Sequence, residues 1–205
     1  MLRVGLTGGL ASGKSFVGHA LADLGCFLIE ADALGRQVLE QGGETYDHVV
    51  AAFGKEILDP DGKINRKRLA AIVFSEQPDS QQRLAKLNSL VHPPVKVREQ
   101  ALAAEFARTH PHGIAVTEAA ILIETGSYKE YDRLIVAVCR LEQQIERAME
   151  RDGVSREEVL NRLRRQMPLE DKVKYADFVI DTSGSKENTL EQVRKVYESL
   201  KNLNP

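Results

Sequence analysis

One stretch near the N-terminus constrains this chain more than any other. Gly8-Gly9-Leu10-Ala11-Ser12-Gly13-Lys14-Ser15 matches the pattern G-x-x-x-x-G-K-[ST] in full. The chemistry accounts for each fixed position. Glycines let the backbone curl so that its amides, with the positive end of the following helix, surround a β-phosphate. Lys14 is placed to bridge β- and γ-phosphate oxygens, and the Ser15 hydroxyl is of the right type to ligate Mg²⁺. Such a loop needs a strand before it and a helix after it. Residues 2–7 are a short, mostly apolar run leading into glycines, and from Lys14 onward Phe16, Val17, Ala20, Leu21 and Leu24 recur at helical spacing until Gly25 supplies a stop.

The rest of the chain extends this strand–loop–helix start into an α/β pattern. Strands are expected at 26–29, 114–117, 134–138 and 178–180, separated by helical segments. That alternation implies five parallel strands with right-handed crossovers. The stretch 33–113 is too long for a simple crossover and is expected to form a mainly helical insertion. Residues 141–176 hold Arg147, Arg151, Arg156, Arg162, Arg164 and Arg165 and are expected to form a basic helical lid. Within it, Ser155 followed by Glu158 has the form of a capping box. Residues 185–203, with Leu190, Val193, Tyr197 and Leu200 on one face, are expected to close the fold as a helix. The 205 residues suit a single domain carrying these excursions.

Composition narrows the partners. Charged residues make up 28% of the chain and nearly cancel to a net charge of -2, so no global field draws it to nucleic acid or an anionic membrane. No apolar run approaches the ~20 residues needed to span a bilayer. A soluble, cytoplasmic protein is expected, monomeric or a weak homo-oligomer. Cys26 and Cys139, far apart and without metal-ligand spacing, are expected to be buried free thiols.

A phosphate loop alone does not separate a kinase from a GTPase switch or an ATP-driven machine. No N-K-x-D or T-K-x-D guanine-reading motif is present, although Asp32 to Gly35 and Asp59 to Gly62 fit the loose D-x-x-G pattern. Asp32, at the end of the second strand, suits a carboxylate that accepts a hydroxyl proton or holds a metal's water shell; it suits equally a helix N-cap before Ala33 and Leu34. Arg147 and Arg151, spaced i, i+4, share a helix face from which lid closure would bring both onto a transferring phosphoryl group; the bland reading is a solvated face.

These residues together resemble the dephospho-coenzyme A kinase family over nearly the whole chain. The marks are Leu6 to Ser15, then Ala31-Asp32 with Gly35-Arg36-Gln37-Val38, and Phe53-Gly54 with the segment Ile57 to Arg66. Further marks are Val91-His92-Pro93, the segment Ala120 to Glu124, Arg147 and Arg151, and Asp177 to Gly184. The resemblance implies a three-layer α/β P-loop kinase fold with a five-stranded parallel sheet, a helical substrate-binding insertion and a helical lid. It implies ATP and Mg²⁺ as cofactors, and transfer of the γ-phosphoryl group to the ribose 3′-hydroxyl of dephospho-CoA.

By the same resemblance Asp32 is the catalytic base, working with Lys14 and with Arg147 as the lid arginine. The ATP-binding set is Gly8, Gly9, Ala11, Ser12, Gly13, Lys14, Ser15, Phe16 and Arg151, with Ser183 and Gly184 approaching the adenine. Asp32, His92, Pro93 and Glu118 form the substrate-binding set. Four positions depart from the family's usual residues. Ala11 stands for glycine, which is expected to demand an ordinary φ there; Phe16 stands for threonine, Glu30 for aspartate and Ala120 for proline. The rival readings are a kinase of another small molecule, such as a nucleoside monophosphate, and a nucleotide-dependent switch without transfer chemistry.

Overall fold

The five expected strands form, in a computed structural model that describes residues 1–75 and 77–203. In chain order the elements are β1 (Leu2–Gly8), α1 (Lys14–Asp23), β2 (Phe27–Glu30), α2 (Ala31–Gln37), α3 (Tyr46–Phe53), α4 (Arg66–Val73), α5 (Ser80–Thr109), β3 (Ile114–Glu118), β4 (Arg133–Val138), α6 (Leu141–Asp152), α7 (Arg156–Leu163), α8 (Leu169–Val173), β5 (Phe178–Asp181) and α9 (Lys186–Asn202). The strands lie in the order β2-β3-β1-β4-β5, every neighbouring pair parallel. Central strand β1 is the one that feeds the phosphate loop.

The chain divides into two compact units, Met1–Glu30 with Ala103–Pro205, and Ala31–Leu102. In the first, strand alternation sorts the side chains. Val4 and Leu6 of β1, Ile114 and Val116 of β3, Ile135 and Ala137 of β4 and Ile180 of β5 point to one face, where Val17 and Leu21 of α1 and Val193 and Leu200 of α9 bury them. On the opposite face of β1 the position of Gly5 is crowded by Leu122, Leu134 and Tyr131. Cys26 and Cys139 are both buried and free. Burial pushes the Cys26 thiol up to about 12, and also raises that of Cys139, partly offset by the nearby Arg147.

The second unit has its own core, in which Val49 and Phe53 of α3 meet Ile57 and Leu69 and Val73 of α4. Its Asp59 to Gly62 segment makes a turn: Leu58 and Ile64 bridge antiparallel across it, and Gly62 sits at φ 84°. Asn65 leaves this turn by capping α4, accepting from the Arg68 N–H at 3.0 Å while its own amide donates to Asp59 Oδ1 at 2.7 Å. The unit boundary falls inside α5, an unbroken helix of 30 residues. Phe106, in its last turns, stacks on Phe27 of β2 with ring centroids 4.7 Å apart, which is why the end of this helix belongs with the sheet.

Candidate active site

The phosphate loop is shaped by one close approach and one left-handed turn. A Cβ at Gly8 would lie 2.6 Å from the Ala137 carbonyl oxygen of β4, so only glycine fits. Gly13, at φ 82°, turns the chain into α1 without a side-chain cap, leaving the first amides of the helix for an anion. Ala11 departs from expectation: it adopts φ 52°, in the left-handed region, where an ordinary φ was anticipated. Leu10 and Ala11 pack against the cluster of Ile145, Ala148 and Val159 of α6 and α7, which offsets the strain. Phe16, in the first turn of α1, is half-buried.

The charged centre of the loop follows from strand alternation. Glu118 ends β3 in register with Leu6 of β1 and shares a side with Ile114 and Val116, the side that α1 covers. Its carboxylate therefore meets the first turn of α1. Lys14 Nζ and Ser15 Oγ both donate to Glu118 Oε1, at 3.0 and 2.7 Å. Glu118 is only 4% exposed, and its second oxygen, Oε2, has no hydrogen-bond partner among the described residues. Sequence reasoning put Glu118 with the acceptor substrate; its carboxylate lies against Lys14 and Ser15 of the phosphate loop. The available signal was parity: a carboxylate two residues past a buried valine, at the end of a strand beside the phosphate loop.

A second set joins the loop to the β5–α9 turn. Thr182 Oγ1 donates to the Ser12 carbonyl at 2.9 Å. Arg147 grips Thr182 twice, from Nη1 to Oγ1 at 3.0 Å and from Nη2 to the carbonyl at 2.8 Å. Arg151 is not brought beside it: its guanidinium pairs with Asp152, at 2.8 Å, on the exposed end of α6. Ser183 is held from α6, its Oγ accepting from the Arg140 N–H at 3.1 Å and its carbonyl from the Gln143 amide at 2.9 Å; Gly184 follows it into α9. The capping box expected at Ser155 and Glu158 is present at the start of α7.

In the second unit, Asp32 is exposed and lies in the first turn of α2, which begins one residue earlier, so Asp32 is inside the helix rather than its N-cap. His92 and Pro93 lie within α5, where Pro93 and Pro94 delete two consecutive amide donors from the helix ladder. Desolvation holds the His92 pKa below the usual histidine value. Helices α2 and α5 are tied together here. Arg98 of α5 bonds Gln37 of α2 at 3.1 Å and grips the Glu44 carboxylate with two bonds, at 2.8 and 2.7 Å.

The donor set around Ser15 suits a hard divalent cation. A serine hydroxyl and a buried carboxylate meet on one side of the loop, with one carboxylate oxygen still unpaired. Mg²⁺ thus fits the residues present.

Comparison with known proteins agrees with this geometry. The family model for dephospho-CoA kinase matches residues 2–188. A dephospho-CoA kinase of Aquifex aeolicus is 42% identical over 200 residues, covering 98% of each chain. Among solved structures, a Thermus thermophilus protein has a TM-score of 0.79 at 32% identity, covering 97% of this chain and 96% of its own. The dephospho-CoA kinase of Campylobacter jejuni has a TM-score of 0.68 at 26% identity, covering 99% and 98%. With the phosphate loop, the parallel sheet and nearly full-length similarity all in agreement, this chain belongs to the dephospho-CoA kinase family.

Proposed function

We propose that the protein transfers the γ-phosphoryl group of ATP to the ribose 3′-hydroxyl of dephospho-CoA, giving ADP and coenzyme A, the last step of coenzyme A synthesis. The observation that carries the chemical reading is the meeting of Lys14 and Ser15 on the buried carboxylate of Glu118. In this reading Lys14 leaves Glu118 for the β- and γ-phosphate oxygens when nucleotide binds, and the amides of Gly9, Ala11 and Gly13 hold the β-phosphate. Ser15 and Glu118 would hold Mg²⁺, which when bound supplies positive charge against the phosphates.

Asp32 takes the proton of the attacking 3′-hydroxyl: the O–H bond breaks, the hydroxyl oxygen bonds to the γ-phosphorus, and the bond to the bridging oxygen of ADP breaks. Its exposed carboxylate in the first turn of α2, and the resemblance carried by Ala31-Asp32, support that role. The substrate's remaining contacts fall to the region of His92 and Pro93. Segment 141–176 acts as the lid, its Arg147 reaching phosphate and its Arg151 turning inward from Asp152 on closure. Excluding water matters, because an open site would hydrolyse ATP.

A coupled ADP-release assay comparing dephospho-CoA with a panel of nucleoside monophosphates tests the reading. It predicts dephospho-CoA as the acceptor turned over with by far the highest kcat/KM. Preference for a nucleoside monophosphate would point to a different kinase, and ATP binding with only slow hydrolysis would point to a switch.

A further inference from the structure

The short helix α8 contains the most deeply buried charged side chain among the described residues: Lys172 is 0% exposed. A buried ammonium is heavily penalised unless each of its three N–H donors is satisfied. Here three acceptors lie within reach. They are Glu124 Oε1 at 2.8 Å, the Ala120 carbonyl at 2.9 Å and the Gly8 carbonyl at 3.3 Å.

Two of these are strategically placed. Gly8 ends β1 and opens the phosphate loop, while Ala120 lies two residues beyond Glu118 at the end of β3. One ammonium thus bridges the strand end that leads to Lys14 and Ser15 and the strand end that carries Glu118. A peptide unit is planar and trans, so holding the Gly8 carbonyl also fixes the direction of the Gly9 N–H. The segment before Lys172 reaches the same loop twice more. Gln166 Oε1 accepts from the Leu10 N–H at 2.9 Å, and Leu169 covers Gly9, where an added Cβ would lie 3.2 Å from its Cγ. Glu124 Oε1 accepts in turn from the Met167 N–H at 3.2 Å, so one carboxylate oxygen anchors both ends of the segment.

We propose that Lys172 is a positioning residue for phosphoryl transfer, setting the phosphate loop and Glu118 at working separation before nucleotide arrives. The proposal rests on the kinase reading above. It is tested by Mg-ADP binding, which needs no acceptor and so does not depend on which hydroxyl is phosphorylated.

The experiment measures Mg-ADP affinity by calorimetry, thermal unfolding and steady-state kinetics for the full chain and for Lys172→Met. Leu200→Ala, in the α9 core away from the loop, serves as a destabilised control. Lys172→Met is expected to weaken Mg-ADP by about tenfold or more and to lower kcat, because small misplacements of binding groups carry large penalties. Its KM for dephospho-CoA is expected to stay within about twofold of the parent. Leu200→Ala is expected to lose stability and keep its Mg-ADP affinity within about twofold. If Lys172→Met loses stability but binds Mg-ADP as well as Leu200→Ala does, the proposal is overturned. Should Lys172→Met not fold, Glu124→Gln, which keeps an acceptor for the Met167 N–H but removes the charge that holds the Lys172 ammonium, decides the question. A several-fold weaker Mg-ADP affinity in that variant supports the proposal and an unchanged one overturns it.

Discussion

Ser15 and Glu118 are joined by a 2.7 Å hydrogen bond, and Lys14 donates to the same carboxylate oxygen. A hydroxyl and an ammonium sharing one oxygen of a buried carboxylate, with the other oxygen unpaired, is a charge-balanced arrangement that nucleotide and metal would reorganise. Glu118→Gln keeps the shape and a carbonyl acceptor for Ser15 while removing the charge. The expected outcome is a loss of about 10²–10³ in kcat and a rise in the Mg²⁺ concentration needed for half-maximal rate. ADP binding without metal should be no weaker, since Lys14 loses a competing anion. Titrating Mg²⁺ against rate checks this; a parental Mg²⁺ dependence would remove Glu118 from the metal's side of the site.

The base role proposed for Asp32 separates chemistry from binding. The residue is exposed in the first turn of α2, so Asp32→Asn should cost little stability. The expected result is a fall of about 10²–10⁴ in kcat, the usual worth of a general base, with ATP affinity within about twofold of the parent. Near-normal turnover would take Asp32 out of the base role.

Ala11 carries three opposing effects. Its φ of 52° strains any L-residue by about 1–2 kcal/mol. Glycine would relieve this, yet it frees the unfolded chain by about 0.5–1 kcal/mol and forfeits the methyl packed against Ile145, Ala148 and Val159. Ala11→Gly should therefore change stability by less than about 1 kcal/mol. Ala11→Val, β-branched at a left-handed position, should lose about 2 kcal/mol or more and weaken ATP. Denaturant unfolding of the two variants checks the ordering.

His92 couples stability to pH. Desolvation lowers its folded pKa below the usual value, so between the folded and unfolded pKa values the unfolded chain binds more protons. The neutral ring's contribution to stability is present above the unfolded pKa, about 6.5, and is lost as pH falls through the folded one. An NMR titration should give a His92 midpoint below 6.5, moving up on unfolding.

The strands and the phosphate loop were legible because their signals are local: an apolar run, a glycine pattern, a helical repeat after Lys14. The capping box at Ser155 and Glu158 was legible for the same reason, three residues apart on one turn. Glu118 was harder, since its partners depend on the parity of β3 and on the register that sets it opposite Leu6. Lys172 was invisible. In a charged stretch it reads as a solvated lysine, and its acceptors at Gly8 and Ala120 are 164 and 52 residues away. Arg147 and Arg151 share a helix face in sequence, but only Arg147 lies where the end of β5 offers Thr182, and the sequence does not carry that pairing. The left-handed φ of Ala11 is set by the path of the whole loop, which overrides the local preference of alanine.

The most direct measurement of the transfer is the stoichiometry of product formation from ATP and dephospho-CoA, with the phosphorylated position assigned by NMR. One coenzyme A, phosphorylated at the ribose 3′-oxygen, is expected for each ADP released. ADP released without a matching phosphorylated acceptor, or phosphate carried at another hydroxyl, would contradict it.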